Sequence, residues 1–213
     1  MVWDKDKRLL FIHIPKTGGS SVEYSMNCLE NKEKGWKIVN NKAIQHSKWN
    51  YYKIKEPKVS LEKNKYWTIF SIVRNPYAKL VSEFFFLKKI NLENISYNNH
   101  YFKNINEMSL NNFIDYTEYI VKYKLYHLSL YHDHFIPQSD FIFDNNEKLK
   151  VNKLFYFYQL ANGDVLKFLK KFGIKKLEHK NFNEIKKNIS LSINQKKRIR
   201  QIYKKDFKLL FNN

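Results

Sequence analysis

Cysteine, proline and glycine are all scarce in this chain. Its 213 residues include one cysteine, four prolines and five glycines. Because Cys28 is alone, no intramolecular disulfide can form, which suits a reducing compartment. No stretch is long and apolar enough to span a bilayer, and the charged residues 1–8 are not typical of a signal peptide. We therefore expect a cytoplasmic protein without a transmembrane segment.

Acidic residues are scarce relative to basic ones. The 39 Lys and Arg against 20 Asp and Glu give a formal net charge of +19. Such a field attracts anions, among them nucleotides, acidic glycans and nucleic acid. The lysines are spread along the whole chain, which is equally typical of a compositional bias toward Lys and Asn. The charge therefore suits an anionic ligand, and it does not predict specific nucleic-acid binding.

Apolar runs and turn residues predict alternating strands and helices. Residues 8–14 and 66–73 have the pattern of buried parallel strands, and each is followed by a predicted helix, over 20–30 and 76–89. The later predicted elements are a helix at 110–123, strands at 141–143 and 153–158, and helices at 164–172 and 194–211. No internal repeat or linker divides the chain. The simplest expectation is a single α/β domain over residues 1–213, with an insertion or acceptor-binding region at about 91–138.

The first predicted strand ends in a glycine turn with the sequence Pro15-Lys16-Thr17-Gly18-Gly19-Ser20-Ser21. Glycines let backbone N–H groups crowd around an anion, and the following helix start adds positive potential. Lys16 supplies a charge, and hydroxyl donors come from Thr17, Ser20 and Ser21. This pattern predicts a phosphate or sulfate site, although a helix-capping turn with an incidental lysine is an alternative. Because Lys16 precedes the glycines, the loop differs from the ATP-binding G-x-x-x-x-G-K-[ST] motif.

A second charged junction follows the second predicted strand. Arg74 lies at the carboxyl end of that strand, where open α/β sheets bind their ligands. The following helix places four residues on one face, separate from its apolar face: Asn75, Lys79, Ser82 and Phe86. We expect Arg74 and Ser82 to converge on one anion, with Arg74 as a bidentate donor. A surface arginine before an amphipathic helix is the alternative.

Taken together, the two junctions resemble the donor site of carbohydrate sulfotransferases, the sulfotransferase 2 family. Those enzymes use 3′-phosphoadenosine-5′-phosphosulfate (PAPS). Residues 11–21 resemble their 5′-phosphosulfate loop, and residues 73–82 resemble their 3′-phosphate segment. Weaker similarity continues at residues 136–141, 177–181 and 202–207. This chain departs from the family at Gln159, where relatives often carry Glu, and at Ala78-Lys79, where an acidic–Arg pair is commoner.

The resemblance implies a fold and a set of roles. The fold is a single P-loop-like three-layer α/β domain, with a central, mainly parallel sheet flanked by helices. Lys16 would hold the 5′-phosphosulfate and stabilise the leaving group, and loop residues 17–21 would cradle the same group. Arg74 and Ser82 would bind the 3′-phosphate. The implied activity is transfer of the sulfuryl group from PAPS to an acceptor hydroxyl, on a glycan, with no metal involved.

Sulfuryl transfer to an alcohol needs a base for the acceptor hydroxyl, and histidine suits this role near neutral pH. Relatives place a His before a Ser or Thr between the two donor motifs, which indicates His46, followed here by Ser47. Glu23 and Glu56 are reserve candidates. The other histidines are less suitable: His13 lies within a predicted strand, and no sequence context supports His100 or His127.

Three alternatives remain at the level of sequence. His132-Asp133-His134 would put two imidazoles on one face of an extended segment, but a metal site needs further ligands, so acceptor binding or surface exposure is preferred. The whole chain is alternatively a kinase-like enzyme that uses a nucleoside triphosphate. It is alternatively a non-enzymatic module that binds polyanions, which strong salt dependence would reveal.

Overall fold

The structure is a computed structural model that describes most of the chain outside residues 27–66. The described residues are 2–4, 7–26, 38–39, 42–43, 67–92, 105–127, 131–177 and 190–211. Among these residues, no helix is both long and apolar enough to cross a membrane. The chain divides into two compact bodies: a first body of Met1–Arg74 with Gln138–Lys186, and a second body of Asn75–Pro137 with Lys187–Asn213. The expectation of a single domain over residues 1–213 stays a prediction.

The described strands are, in chain order, β1 (Val2–Asp4), β2 (Leu9–Ile12), β3 (Ile38–Val39), β4 (Lys42–Ala43), β5 (Thr68–Val73) and β6 (Lys153–Tyr156). The described helices are α1 (Gly19–Ser25), α2 (Pro76–Leu92), α3 (Leu110–Lys122), a 3-10 turn (His132–Phe135), α4 (Ser139–Ile142), α5 (Tyr158–Ala161), α6 (Asp164–Lys170), α7 (Ile193–Ile202) and α8 (Lys204–Leu210).

A four-stranded sheet in the order β1-β2-β5-β6 organises the first body. β2, β5 and β6 are parallel, and β1 is antiparallel to β2 at the edge. The central strands are apolar because both of their faces are covered: every residue of β2 is buried, and only Thr68 of β5 is not. Phe11, Phe70 and Phe155 pack across three neighbouring strands. The α/β fold with a mainly parallel sheet flanked by helices is therefore confirmed.

The second body is helical, and aromatic residues dominate its core. Helix α2 begins where the sequence predicts, since the Asn75 side chain accepts a hydrogen bond from the Tyr77 N–H and Pro76 takes the first helical position. Phe84 of α2 packs against Phe113 of α3. Ser192 caps α7 through a reciprocal pair of hydrogen bonds with Gln195.

Two predicted elements are wrong. Residues 141–143 are not a strand, since Phe141 and Ile142 are buried in α4 and only Phe143 forms an isolated bridge. A short apolar run fits a buried helical turn as well as a strand, because both bury every side chain. The predicted helix at 194–211 is interrupted at Tyr203, which separates α7 from α8.

Candidate active site

The glycine loop after β2 has a tightly fixed backbone. Lys16 and Gly18 both have positive φ values, 64° and 84°. The Thr17 side chain is fully buried, and its hydroxyl donates to the Ile14 carbonyl at 2.8 Å. Since a hydroxyl has a single proton, Thr17 contributes to the loop's shape here and does not offer a side-chain donor. Lys16 and Ser20 are partly exposed, whereas Ser21 is buried.

Gly19 starts α1 and lies directly against the His13 ring. A Cβ added at Gly19 would come within 2.0 Å of the His13 Cδ2 atom, so a side chain does not fit there. The His13 Nδ1 atom is 2.7 Å from the Glu23 carboxylate, and both side chains are buried. Gly19 and Glu23 are one helical turn apart, so α1 contacts the ring at two points. His13 and Glu23 therefore fix the position of α1 relative to the end of β2.

The Arg74 side chain lies against the same loop. Its Nη1 atom donates to the Lys16 carbonyl at 3.2 Å, and its guanidinium stacks 4.2 Å from the centre of the Phe157 ring. The Nε atom is buried without a hydrogen-bond partner, and no carboxylate among the described residues forms an ion pair with this guanidinium. Burial lowers the pKa of Arg74 to about 10, so the side chain still carries its charge at neutral pH.

Gln138 hydrogen-bonds to the main chain of Arg74. The sequence analysis does not predict Gln138 as a site residue. Its side-chain oxygen accepts from the Arg74 N–H at 2.8 Å, and its amide nitrogen donates to the Arg74 carbonyl at 2.7 Å. The side chain is fully buried. In the sequence, Gln138 is a polar residue that directly follows Ile136-Pro137. It lies in residues 136–141, which resemble the family but have no role assigned to them.

The other predicted site residues are placed as follows. Ser82 lies partly buried on α2 in the second body, so its convergence with Arg74 on one anion stays a prediction. Lys79, on the same helix, is 3% exposed and donates to the His134 carbonyl, so its side chain is buried in the second body. His46, Glu56 and His100 lie outside the described residues.

The paired histidines after residue 131 are neither extended nor exposed. They lie in a 3-10 turn and are buried, which corrects the expectation of surface exposure. His132 is bonded through Nδ1 to the Leu125 carbonyl, at 3.0 Å, and through Nε2 to the Tyr116 hydroxyl, at 2.5 Å. His134 Nδ1 lies 2.9 Å from a Glu83 oxygen. Both rings therefore belong to the interior of the second body.

The fold is that of an α/β protein with a glycine turn after its first parallel strand. Residues 1–212 match the sulfotransferase family, and the chain belongs to this family. Membership assigns sulfuryl transfer in general to the protein, which makes it a transferase. Neither the curated proteins nor the solved structures gave a match.

Proposed function

We propose that this protein transfers the sulfuryl group of PAPS to a hydroxyl of a carbohydrate acceptor in the cytoplasm. Family membership supplies the general reaction. The identity of the donor rests on the residues at the carboxyl ends of β2 and β5, the edge at which α/β sheets bind ligands. The carbohydrate acceptor follows from the resemblance, and the net charge of +19 suits a donor and an acceptor that are both anionic.

The observation that carries the proposal is the state of Arg74. The Arg74 side chain is partly buried, and the water that its guanidinium loses is costly unless an anion and hydrogen-bond acceptors replace it. Arg74 has one acceptor, the Lys16 carbonyl, and a buried Nε atom without one. A phosphate would provide both the charge and the missing acceptor. We assign Arg74 to the 3′-phosphate of the donor, with Ser82 as its predicted companion.

The loop at residues 16–21 is assigned to the 5′-phosphosulfate. PAPS, when bound, supplies the sulfuryl group that is transferred. Gly18 adopts a left-handed backbone conformation and Gly19 has no room for a side chain, so this backbone is shaped for close approach of an anion. Lys16 would stabilise negative charge on the leaving oxygen.

His46 is the proposed base for the acceptor hydroxyl. A positioned base typically contributes about 10²–10⁴-fold to such a reaction. The reserve candidate Glu23 is less suitable, because its carboxylate is fully buried against His13. His46→Ala should therefore lose turnover by about that factor while keeping donor affinity. Loss of donor affinity to the same extent would indicate a role in binding.

The test compares adenine nucleotides that differ in the 3′-phosphate. Thermal unfolding is measured with 3′-phosphoadenosine 5′-phosphate, ADP and ATP, and transfer of labelled sulfate from PAPS to a panel of glycans is followed by mass detection. We expect a clear stabilisation by the 3′-phosphorylated ligand that Arg74→Met removes. Preference for ATP with magnesium would support the kinase-like alternative. Equal, strongly salt-dependent shifts with all polyanions would support the binding module.

A further inference from the structure

We propose that Gln138 is a positioning residue for the donor site, acting through Arg74 on both ends of the donor. The inference rests on the proposed PAPS site. Gln138 fixes the Arg74 main chain, and the Arg74 side chain in turn holds the carbonyl of Lys16. Arg74 therefore has two tasks, binding the 3′-phosphate and fixing the loop for the 5′-phosphosulfate.

In the first step of this relay, Gln138 forms hydrogen bonds to the main chain just beyond the last residue pair of β5 and β6. The ladder between β5 and β6 ends where the Phe157 N–H donates to the Val73 carbonyl at 2.8 Å. Arg74 is the next residue along the chain, beyond the last ladder partner. The Gln138 amide accepts from its N–H and donates to its carbonyl, as a neighbouring strand would. Two hydrogen bonds from one fully buried amide fix the peptide planes on both sides of the Arg74 Cα atom.

The second step joins Arg74 to the loop. Lys16 has a φ of 64°, a conformation that is unfavourable for a residue with a side chain. The Arg74 Nη1 atom donates to the carbonyl of this same residue, and the Phe157 ring orients the guanidinium plane at 4.2 Å. Gln138 therefore fixes the Arg74 main chain, and the Arg74 side chain in turn fixes the Lys16 backbone. Movement of the Arg74 main chain would disturb the loop even when no 3′-phosphate is bound.

Two ligands separate the tasks of Arg74. 3′-Phosphoadenosine 5′-phosphate and adenosine 5′-phosphate differ in the 3′-phosphate alone, so the ratio of their affinities measures its recognition. Calorimetric titration is carried out on the full chain and on Gln138→Leu, Gln138→Glu, Arg74→Met and the double variant Gln138→Leu with Arg74→Met. Gln138→Glu keeps the acceptor for the Arg74 N–H, so it serves as a milder change if Gln138→Leu does not fold.

The matched control is Asn152, which precedes β6 and hydrogen-bonds to the opposite end of β5. Its side-chain oxygen accepts from the Ile69 N–H at 2.7 Å, the same kind of bond near the beginning of β5. Asn152→Leu removes an amide-to-backbone bond far along the strand from Arg74. It should lower thermal stability without changing the affinity ratio.

We expect Gln138→Leu to reduce the affinity ratio by roughly 10-fold, as the loss of a buried hydrogen-bonding partner implies. Gln138→Glu should fall between Gln138→Leu and the wild type. The double variant should bind no more weakly than Arg74→Met, because Gln138 acts through Arg74. Arg74→Met should also weaken binding of adenosine 5′-phosphate, which has no 3′-phosphate to lose.

Several results would overturn the relay. An unchanged ratio in both Gln138 variants, or additive losses in the double variant, would show that Gln138 does not act through Arg74. An unchanged affinity of Arg74→Met for adenosine 5′-phosphate would remove the link to Lys16. A wild-type protein that does not distinguish the two ligands would instead refute the proposed PAPS site itself. The two failures are therefore distinguishable.

Discussion

Buried polar groups are treated differently in the two bodies. In the second body, the Lys79 ammonium donates to the His134 carbonyl and the His134 ring pairs with Glu83, so both charged side chains have a partner within the protein. In the first body, the Arg74 side chain is partly buried and has one backbone acceptor, its Nε atom is buried without a partner, and no carboxylate among the described residues pairs with it. The contrast separates charged groups that are paired within the fold from Arg74, which we propose binds a ligand.

This difference has a physical reason. Removing one partner of a buried, paired charge leaves the other uncompensated and lowers the free energy of unfolding, whereas removing a charge that has no partner does not have this cost. Natural proteins keep such unfavourable groups where binding recovers the free energy. The comparison therefore predicts that replacing Arg74 mainly reduces binding and turnover, and that replacing a paired charged residue of the second body mainly reduces stability.

Among the residues that the structure describes, the largest effect is expected at Lys16. Lys16→Ala removes the charge assigned to the leaving oxygen and should lower the rate of sulfuryl transfer by about 10²–10³-fold. The free energy of unfolding should change little, because the side chain is partly exposed. Labelled-sulfate transfer and chemical denaturation check the two statements. A wild-type rate in Lys16→Ala would exclude this residue from the reaction.

Two variants test the contrast between the bodies most directly, Lys79→Met in the second body and Arg74→Met in the first. Lys79→Met removes the donor to a buried carbonyl and should lower the free energy of unfolding by about 1–3 kcal/mol. Arg74→Met loses one hydrogen bond but also removes an uncompensated charge, so the ligand-free stability should stay within about 1 kcal/mol of the wild type.

Chemical denaturation with and without 3′-phosphoadenosine 5′-phosphate measures this pair. We expect the ligand to stabilise Lys79→Met as much as the wild type and to stabilise Arg74→Met far less. The comparison fails if Arg74→Met unfolds as easily as Lys79→Met in the absence of ligand, because Arg74 would then be a structural cation too.

Two glycines of the first body separate a steric clash at the donor loop from backbone strain elsewhere. Gly19→Ala forces a Cβ atom into the buried His13 ring, and overpacking of this kind costs about 1–3 kcal/mol. Because the strain falls on the loop, donor affinity should decrease as well. Gly163→Ala is the control: its φ of 88° also disfavours a side chain, but no atom lies within 4 Å of the added Cβ. It should lower stability and leave donor affinity unchanged.

The parts of the site that sequence analysis predicts are those that local patterns determine. The turn at residues 15–21 and the helix start at Asn75-Pro76 depend on glycine, proline and capping residues that lie next to one another. The pairing of Gln138 with Arg74 joins residues 64 positions apart, and nothing in either local sequence specifies it. The burial of His132 and His134 was missed for the same reason, since a polar residue is recognised as internal only once its distant partner is known.

The smallest expected effect is a pH dependence in the second body. Burial, the largest cause, lowers the pKa of His132 below 6.5, although its bond to the Leu125 carbonyl opposes the shift. Below pH 6.5 the unfolded chain therefore binds more protons at this position than the folded protein. Stability falls as the pH decreases from 6.5 toward the folded-state pKa.

His132→Asn should flatten this slope, because asparagine keeps a donor for the Leu125 carbonyl and does not titrate. We expect His132→Asn to lose less stability than the wild type between pH 7 and pH 5, measured by chemical denaturation at each pH. His127→Asn is the control, since His127 is exposed and contributes the smallest of the causes of the shift. Equal slopes in His132→Asn and the wild type would show that the imidazole of His132 does not limit acid stability, and the acid sensitivity of the second body would then lie in its other buried groups.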